Sequence, residues 1–95
     1  MKPCLYVVVY DVVSDRKRDR LFHVLKEYGT PLQKSAFEAR LTEHERRSML
    51  ARAGRVIDPA TDRFACYPVP SSEESRIACL GLPRPEIEPD LVLIV

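Results

Sequence analysis

Glycine is scarce in this chain, with three residues in 95. That excludes a Gly-rich loop that would cradle phosphates with backbone amides. Cysteine is sparse as well. Cys4, Cys66 and Cys79 form no Cys-x-x-Cys pair, and with His23 and His44 they make no zinc pattern. An odd count without close pairing points to free thiols in a reducing compartment. The apolar runs around Cys4 and Cys66 place those two in the core. No apolar run approaches the roughly 18 residues of a membrane span. No signal-peptide pattern precedes Leu5, so a cytoplasmic protein is expected. An excess of one charge sign is also missing. Fifteen Lys and Arg stand against fourteen Asp and Glu, a net charge of +1, so no global basic field announces nucleic acid. Nucleophile elbow, internal repeat and low-complexity segment are all absent.

What is present is unevenly distributed. Nine of the fifteen cations lie in residues 16–20 and 40–55, and local basic faces bind phosphates without a high overall charge. The strongest single feature is Leu5-Tyr6-Val7-Val8-Val9-Tyr10-Asp11, a β-branched and aromatic run that suits a central strand covered on both faces. Its two-residue period puts Leu5, Val7, Val9 and Asp11 on one face and Tyr6, Val8 and Tyr10 on the other. A strand that delivers a carboxylate to its end, just before Arg16-Lys17-Arg18-Asp19-Arg20, has the ingredients for a divalent metal and a phosphate. The bland alternative is an aspartate capping its own turn.

The remaining elements follow from periodicity and stop signals. Ser14 caps a helix over about 15–28 whose apolar stripe is Leu21, Val24, Leu25 and Tyr28. Gly29, able to take the left-handed conformation, ends it, and Pro31 prevents continuation. Residues 32–40 read as extended, either one strand or two pieces with a bend. Thr42 and Glu45 form a capping box. The helix they open carries Met49, Leu50, Ala53 and Ile57 on one face, with Glu43, Arg46, Arg47 and Arg52 toward water. Asp58-Pro59 closes it. Asp62 to Val69 is a third strand, with Pro68 at an edge or end. Ser71 to Glu74 reads as a turn or short helix start, and Ile77 to Leu80 as a fourth strand.

Two-layer α/β packing follows from this order, a small sheet with two helices on one face in residues 1–82. The uncovered face needs a second layer, which a second copy supplies. Residues 83–95 form a separate tail: a stiff Pro-rich linker over 83–89 and an apolar strand, Leu91 to Val95. That strand suits an edge position on its own sheet or β-addition to a partner chain.

Four short motifs in order resemble the small CRISPR-associated spacer-acquisition nuclease family (Cas-two). The first is Tyr10-Asp11 with the turn through Ser14-Asp15, followed by Arg18 and Arg20. The second is Gln33-Lys34-Ser35-Ala36-Phe37-Glu38, where Ala36 replaces the family's usual valine. The third is Ile57-Asp58-Pro59 and Asp62 followed by Tyr67-Pro68-Val69, and the fourth is Leu80-Gly81. The resemblance spans roughly residues 4–81 and leaves out the tail.

The resemblance implies a ferredoxin-like fold, mainly antiparallel, with an extra C-terminal strand. It implies a homodimer, an Mg²⁺ site between subunits (Mn²⁺ as the alternative ion), and a partner integrase (Cas-one) in the insertion of spacer DNA. It also implies endonuclease activity on RNA or DNA in some members and a scaffold role in others. Asp11 is then the metal ligand and the catalytic residue. One carboxylate is too few for Mg²⁺, but a two-fold axis beside Asp11 doubles it. Arg16, Lys17, Arg18 and Arg20 oppose the dipole of their helix, which suits phosphate contacts. Ser35 is a candidate hydrogen-bond donor to phosphate or to a water on the metal. Phe37 is either core or a base-stacking platform. The runner-up function is a toxin-like RNA interferase of the same fold. A third, a small-ligand regulatory domain, suffers from the missing Gly-rich loop.

Overall fold

A computed structural model describes residues 2–82, and the predicted linker and terminal strand at 83–95 lie outside the described residues. The elements run β1 (Cys4–Asp11), α1 (Asp15–Lys26), β2 (Thr30–Gln33), β3 (Ala36–Leu41), α2 (Glu43–Val56) and β4 (Arg63–Val69). A 3-10 turn over Ser71–Arg76 follows. The four strands form one antiparallel sheet in the order β2-β3-β1-β4. With both helices packed on one face, this is the ferredoxin-like arrangement.

The local causes are those the residue types dictate. Ser14 caps α1 by accepting from Lys17 N, and Thr42 and Glu45 close a reciprocal capping box on α2. Leu21 and Leu25 of α1 and Met49, Ala53 and Val56 of α2 are buried. They meet Tyr6, Val8 and Tyr10 of β1 and Phe37, Ala39 and Leu41 of β3 in one core. Tyr28 Oη lies 2.9 Å from Ser48 Oγ, which joins the end of α1 to the middle of α2. Arg52 donates to both Glu27 carboxylate oxygens (2.9 and 2.8 Å) and lies over the Tyr28 ring.

The extended stretch resolves into two strands. A turn at Lys34-Ser35 joins β2 to β3, and a register shift falls between Pro31 and Gln33. Proline lacks the amide a regular ladder requires, which favours the irregularity in this edge strand.

Several expectations are corrected. α1 ends at Lys26 with Glu27 as its cap, short of Gly29, and Gly29 takes no left-handed backbone; among the described residues only Gly81 has a positive φ, 82°. Space is the reason for a glycine here. A Cβ at Gly29 would lie 2.3 Å from the Glu38 carbonyl oxygen and 2.7 Å from Ala39 Cβ, because the chain enters β2 hard against β3. Gly29→Ala is therefore expected to destabilise the fold by about 1–3 kcal/mol, the usual cost of forced overpacking. Chemical denaturation measures it; an unchanged midpoint would show that the β2–β3 hairpin simply yields.

No strand forms over 77–80, where Leu80 is 96% exposed and finds no apolar surface to cover. Cys4, the first residue of β1, is exposed rather than core. Cys66 is partly buried, and burial pushes its thiol pKa up, which keeps it protonated and unreactive.

Strand β1 is central, yet only its Tyr6-Val8-Tyr10 face is covered by helices. Among the described residues, no helix covers its other face. Val9 is 37% exposed, and Tyr67, opposite Val7 on β4, is 57% exposed. Leu5 is the exception at 1% exposed. Opposite Leu5 on β3, Arg40 donates to Glu74 Oε1 at 2.7 Å, which fastens the 3-10 turn over that end of the sheet.

Candidate functional site

Asp11 ends β1 on the open face, and the register places Arg63 directly across from it on β4. A groove of about 360 Å³ opens there, lined by Asp11, Arg63, Ser35, Gln33 and Tyr67 with the walls of Val9 and Ala65. The Asp11 carboxylate has no hydrogen-bond or ion-pair partner among the described residues. It does not cap its own turn, which removes the bland reading of this residue.

Ser35 arrives at the groove through Tyr10. The Tyr10 amide donates to the Ser35 carbonyl at 3.1 Å, and its hydroxyl donates to the Lys34 carbonyl at 2.9 Å. One residue thus grips the β2–β3 turn from both ends while its ring stays in the core. Burial raises the Tyr10 pKa, with Arg18 opposing, so the phenol remains a donor through neutral pH. The Tyr-Asp dipeptide has a division of labour: tyrosine sets the hairpin, aspartate faces the groove.

Two further contacts hold the loop after Asp11. Asp62 accepts from Val13 N at 3.0 Å through one carboxylate oxygen and from Asp58 N at 2.8 Å through the other, so it ties the β1–α1 loop to the α2–β4 loop. Arg18 donates to the Val12 carbonyl at 2.8 Å and pairs with Asp15. These backbone donors hold Asp62 below the usual aspartate pKa. A depressed folded-state pKa stabilises the fold above the unfolded value and loses that contribution as pH falls through the folded one. Glu27 and Glu45 act in the same sense, through Arg52 and through the Thr42 amide. Thermal melts should therefore fall as pH drops below the ordinary carboxylate range, and more shallowly in Asp62→Asn. An identical acid slope in the variant would remove Asp62 from this role.

The structure sorts the other predicted residues. Among the described residues, Arg16, Lys17 and Arg20 make no ion pair and lie on α1 outside the groove, whereas Arg18 is committed to the loop. Phe37 leaves the set: it is 1% exposed and packs edge-on against Phe22 with centroids 5.3 Å apart, so no face remains for a base. Of the five arginines in 40–55, four are paired: Arg40 with Glu74, Arg46 and Arg47 with Glu43, and Arg52 with Glu27. Sequence reasoning missed Arg63, Gln33 and Tyr67. The alternation Arg63-x-Ala65-x-Tyr67 was legible, but only the β1–β4 register puts it beside Asp11. Among the described residues no group of three His, Cys, Asp or Glu gathers, and Asp11 is the acid in the groove lining. That donor fits half of an Mg²⁺ site, not a whole one. Among the same residues, no helix is long and apolar enough to cross a membrane.

The family profile described as CRISPR associated protein Cas2 matches residues 4–77. A Thermus thermophilus protein named CRISPR-associated endonuclease Cas2 2 is 38% identical over 90 residues, spanning 94% of this chain and 96% of its own. A Thermodesulfovibrio yellowstonii protein named CRISPR-associated endoribonuclease Cas2 1 is 30% identical over 90 residues, 95% of this chain and 96% of its own. The crystal structure of a hypothetical Thermus thermophilus protein superposes with a TM-score of 0.78 at 36% identity, covering 88% of this chain and 99% of that one. A chain in a partial Cas6-RT-Cas1–Cas2 complex shares the fold at TM-score 0.70 and 22% identity, covering 93% of this chain and all of that one. With its motifs in order, its sheet topology and these likenesses, the chain belongs to the CRISPR associated protein Cas2 family.

Proposed function

We propose that the chain acts in CRISPR adaptation as a homodimer that bridges integrase subunits and binds nucleic acid. In this reading it also hydrolyses phosphodiester bonds with Mg²⁺, or Mn²⁺, held between two copies of Asp11. The observation that carries this is the unpartnered Asp11 carboxylate in a groove on an open sheet face. A second copy on that face would bury Val9 and Tyr67, at a gain of about 25 cal/mol per Å² of apolar area. An isologous contact brings each residue near the axis against its own copy, so the half-site becomes a pair of carboxylates. The names of the relatives, endonuclease and endoribonuclease, support the activity. The complex containing Cas1 supports the integrase as partner.

The two Asp11 side chains would hold the ion, which when bound polarises the scissile phosphate and stabilises the charge that builds on it. The chain's own groups do the rest. Tyr10 fixes the turn that carries Ser35, whose hydroxyl would donate to a phosphate oxygen. Asp62 and Arg18 keep the following loop, and with it the end of β1, from shifting. Arg16, Lys17 and Arg20 contact the phosphate backbone without reading its sequence, so affinity falls steeply with salt.

The test is a cleavage assay on single-stranded RNA and on duplex DNA with Mg²⁺, with Mn²⁺ and with a chelator. Cleavage of at least one substrate, present with either ion and abolished by the chelator, is expected. Cleavage that survives the chelator overturns the metal-dependent mechanism. Absence of cleavage under every condition, with retained binding to the integrase, leaves the scaffold as the whole function.

A further inference from the structure

Arg63 stands across the strand pair from Asp11, on the same face, and lines the same groove. Opposite charges set directly across an antiparallel pair ordinarily close on one another. Here they do not: neither residue has an ion-pair partner among the described residues. The guanidinium therefore keeps its donors, in a fork that matches a phosphate. The other polar side chains lining the groove are uncharged or acidic: Gln33, Ser35, Tyr67 and Asp11 itself. A phosphodiester approaching this carboxylate meets repulsion, and Arg63 is the groove's own cation to oppose it. The cations of α1 do not line the groove, so they cannot perform this task locally.

We propose that Arg63 is the anchor for the reacting phosphate in the Asp11 groove, donating to its non-bridging oxygens and setting it beside the carboxylate. The inference rests on the reading of Asp11 given above and adds a residue and a task to it. The α1 cations grip the flanking backbone. Arg63 holds the one phosphodiester at which reaction occurs. Charge-assisted, two-pronged contacts are the strong class of hydrogen bond, so the loss of this one is measurable in binding as well as in rate.

The experiment compares wild type, Arg63→Ala and Arg63→Lys in two assays. Fluorescence anisotropy with labelled single-stranded RNA and DNA oligonucleotides, in chelator, reads binding without cleavage. Steady-state kinetics with Mg²⁺ reads KM and kcat. Arg63→Ala is expected to weaken binding by about tenfold and to make its salt dependence shallower by roughly 0.7–0.9 of a log unit per log unit of salt. KM should rise by a similar factor. Arg63→Lys, a point charge without the fork, should recover part of the loss. The two oligonucleotides show whether the anchored phosphate belongs to RNA or DNA.

Unchanged Kd and KM in Arg63→Ala overturn the proposal. So does a loss explained entirely by dissociation of the protein, read by sedimentation at the same concentrations. The two readings fail separately. Arg63-dependent binding in a protein that cuts nothing keeps the anchor and removes the nuclease. Asp11-dependent cutting indifferent to Arg63 keeps the nuclease and removes the anchor.

Discussion

Asp11→Asn is expected to reduce metal-dependent cleavage at least about a hundredfold while leaving the fold intact. The substitution keeps size and removes charge, and in a symmetric dimer it removes both charges from the ion at once. Charge stabilisation by a bound metal is worth several kcal/mol in the transition state, and each 1.36 kcal/mol is tenfold in rate. The melting temperature should hold or rise, because among the described residues Asp11 makes no contact that the amide could break. In a dimer it would sit near its own copy, so its loss also relieves repulsion between two carboxylates. Cleavage at the wild-type rate by the purified variant would remove Asp11 from catalysis. A large fall in melting temperature would instead give it a structural role, contrary to its free carboxylate.

If the chain pairs as proposed, Val9→Asp should leave it monomeric at micromolar concentration and abolish the proposed cleavage. Val9 lies in the middle of the open face, paired across the sheet with Ala36 and Ala65. In the single chain it is already 37% exposed, so a carboxylate there costs the monomer little. In a face-to-face dimer the same change buries two like charges, one from each copy. An unpaired buried charge is destabilising by roughly 3–5 kcal/mol, which is on the order of 10²–10³-fold or more in a dissociation constant. Analytical ultracentrifugation reads the state of assembly, and circular dichroism confirms the retained fold. A variant that stays dimeric would place the interface on another surface, and the doubled metal site would go with it.

These two effects show which parts of the molecule were legible in the residues. Alternation alone separated Leu5-Val7-Val9-Asp11 from Tyr6-Val8-Tyr10, and the structure keeps that division. The caps at Ser14 and Thr42 are local chemistry, decided within four residues, and both are present. Gly29 shows the limit. Its sequence context suggested backbone freedom, but the requirement is a strand passing beside it, which no local pattern reveals. Phe37 shows the same limit from the other side: its place in an extended run left core and stacking platform both open, and packing against Tyr10 and Phe22 in the core decides for burial. Ile77 to Leu80 had strand composition and no surface to pair with.

What the sequence by itself determined was the set of elements and the acid at the end of the first strand. Periods of two and 3.6 residues, and the caps that punctuate them, are properties of neighbours along the chain. It also carried the motifs that reveal the family. Tertiary structure alone decided what stands beside that acid. Ser35 lines the same groove because Tyr10 grips a distant turn, and Arg63 because two strands pair in one register. It decided too that the face bearing Asp11 is the one the two helices leave uncovered. Both helices pack on the Tyr6-Val8-Tyr10 side of the sheet, so the acid at the end of β1 was left on the other side.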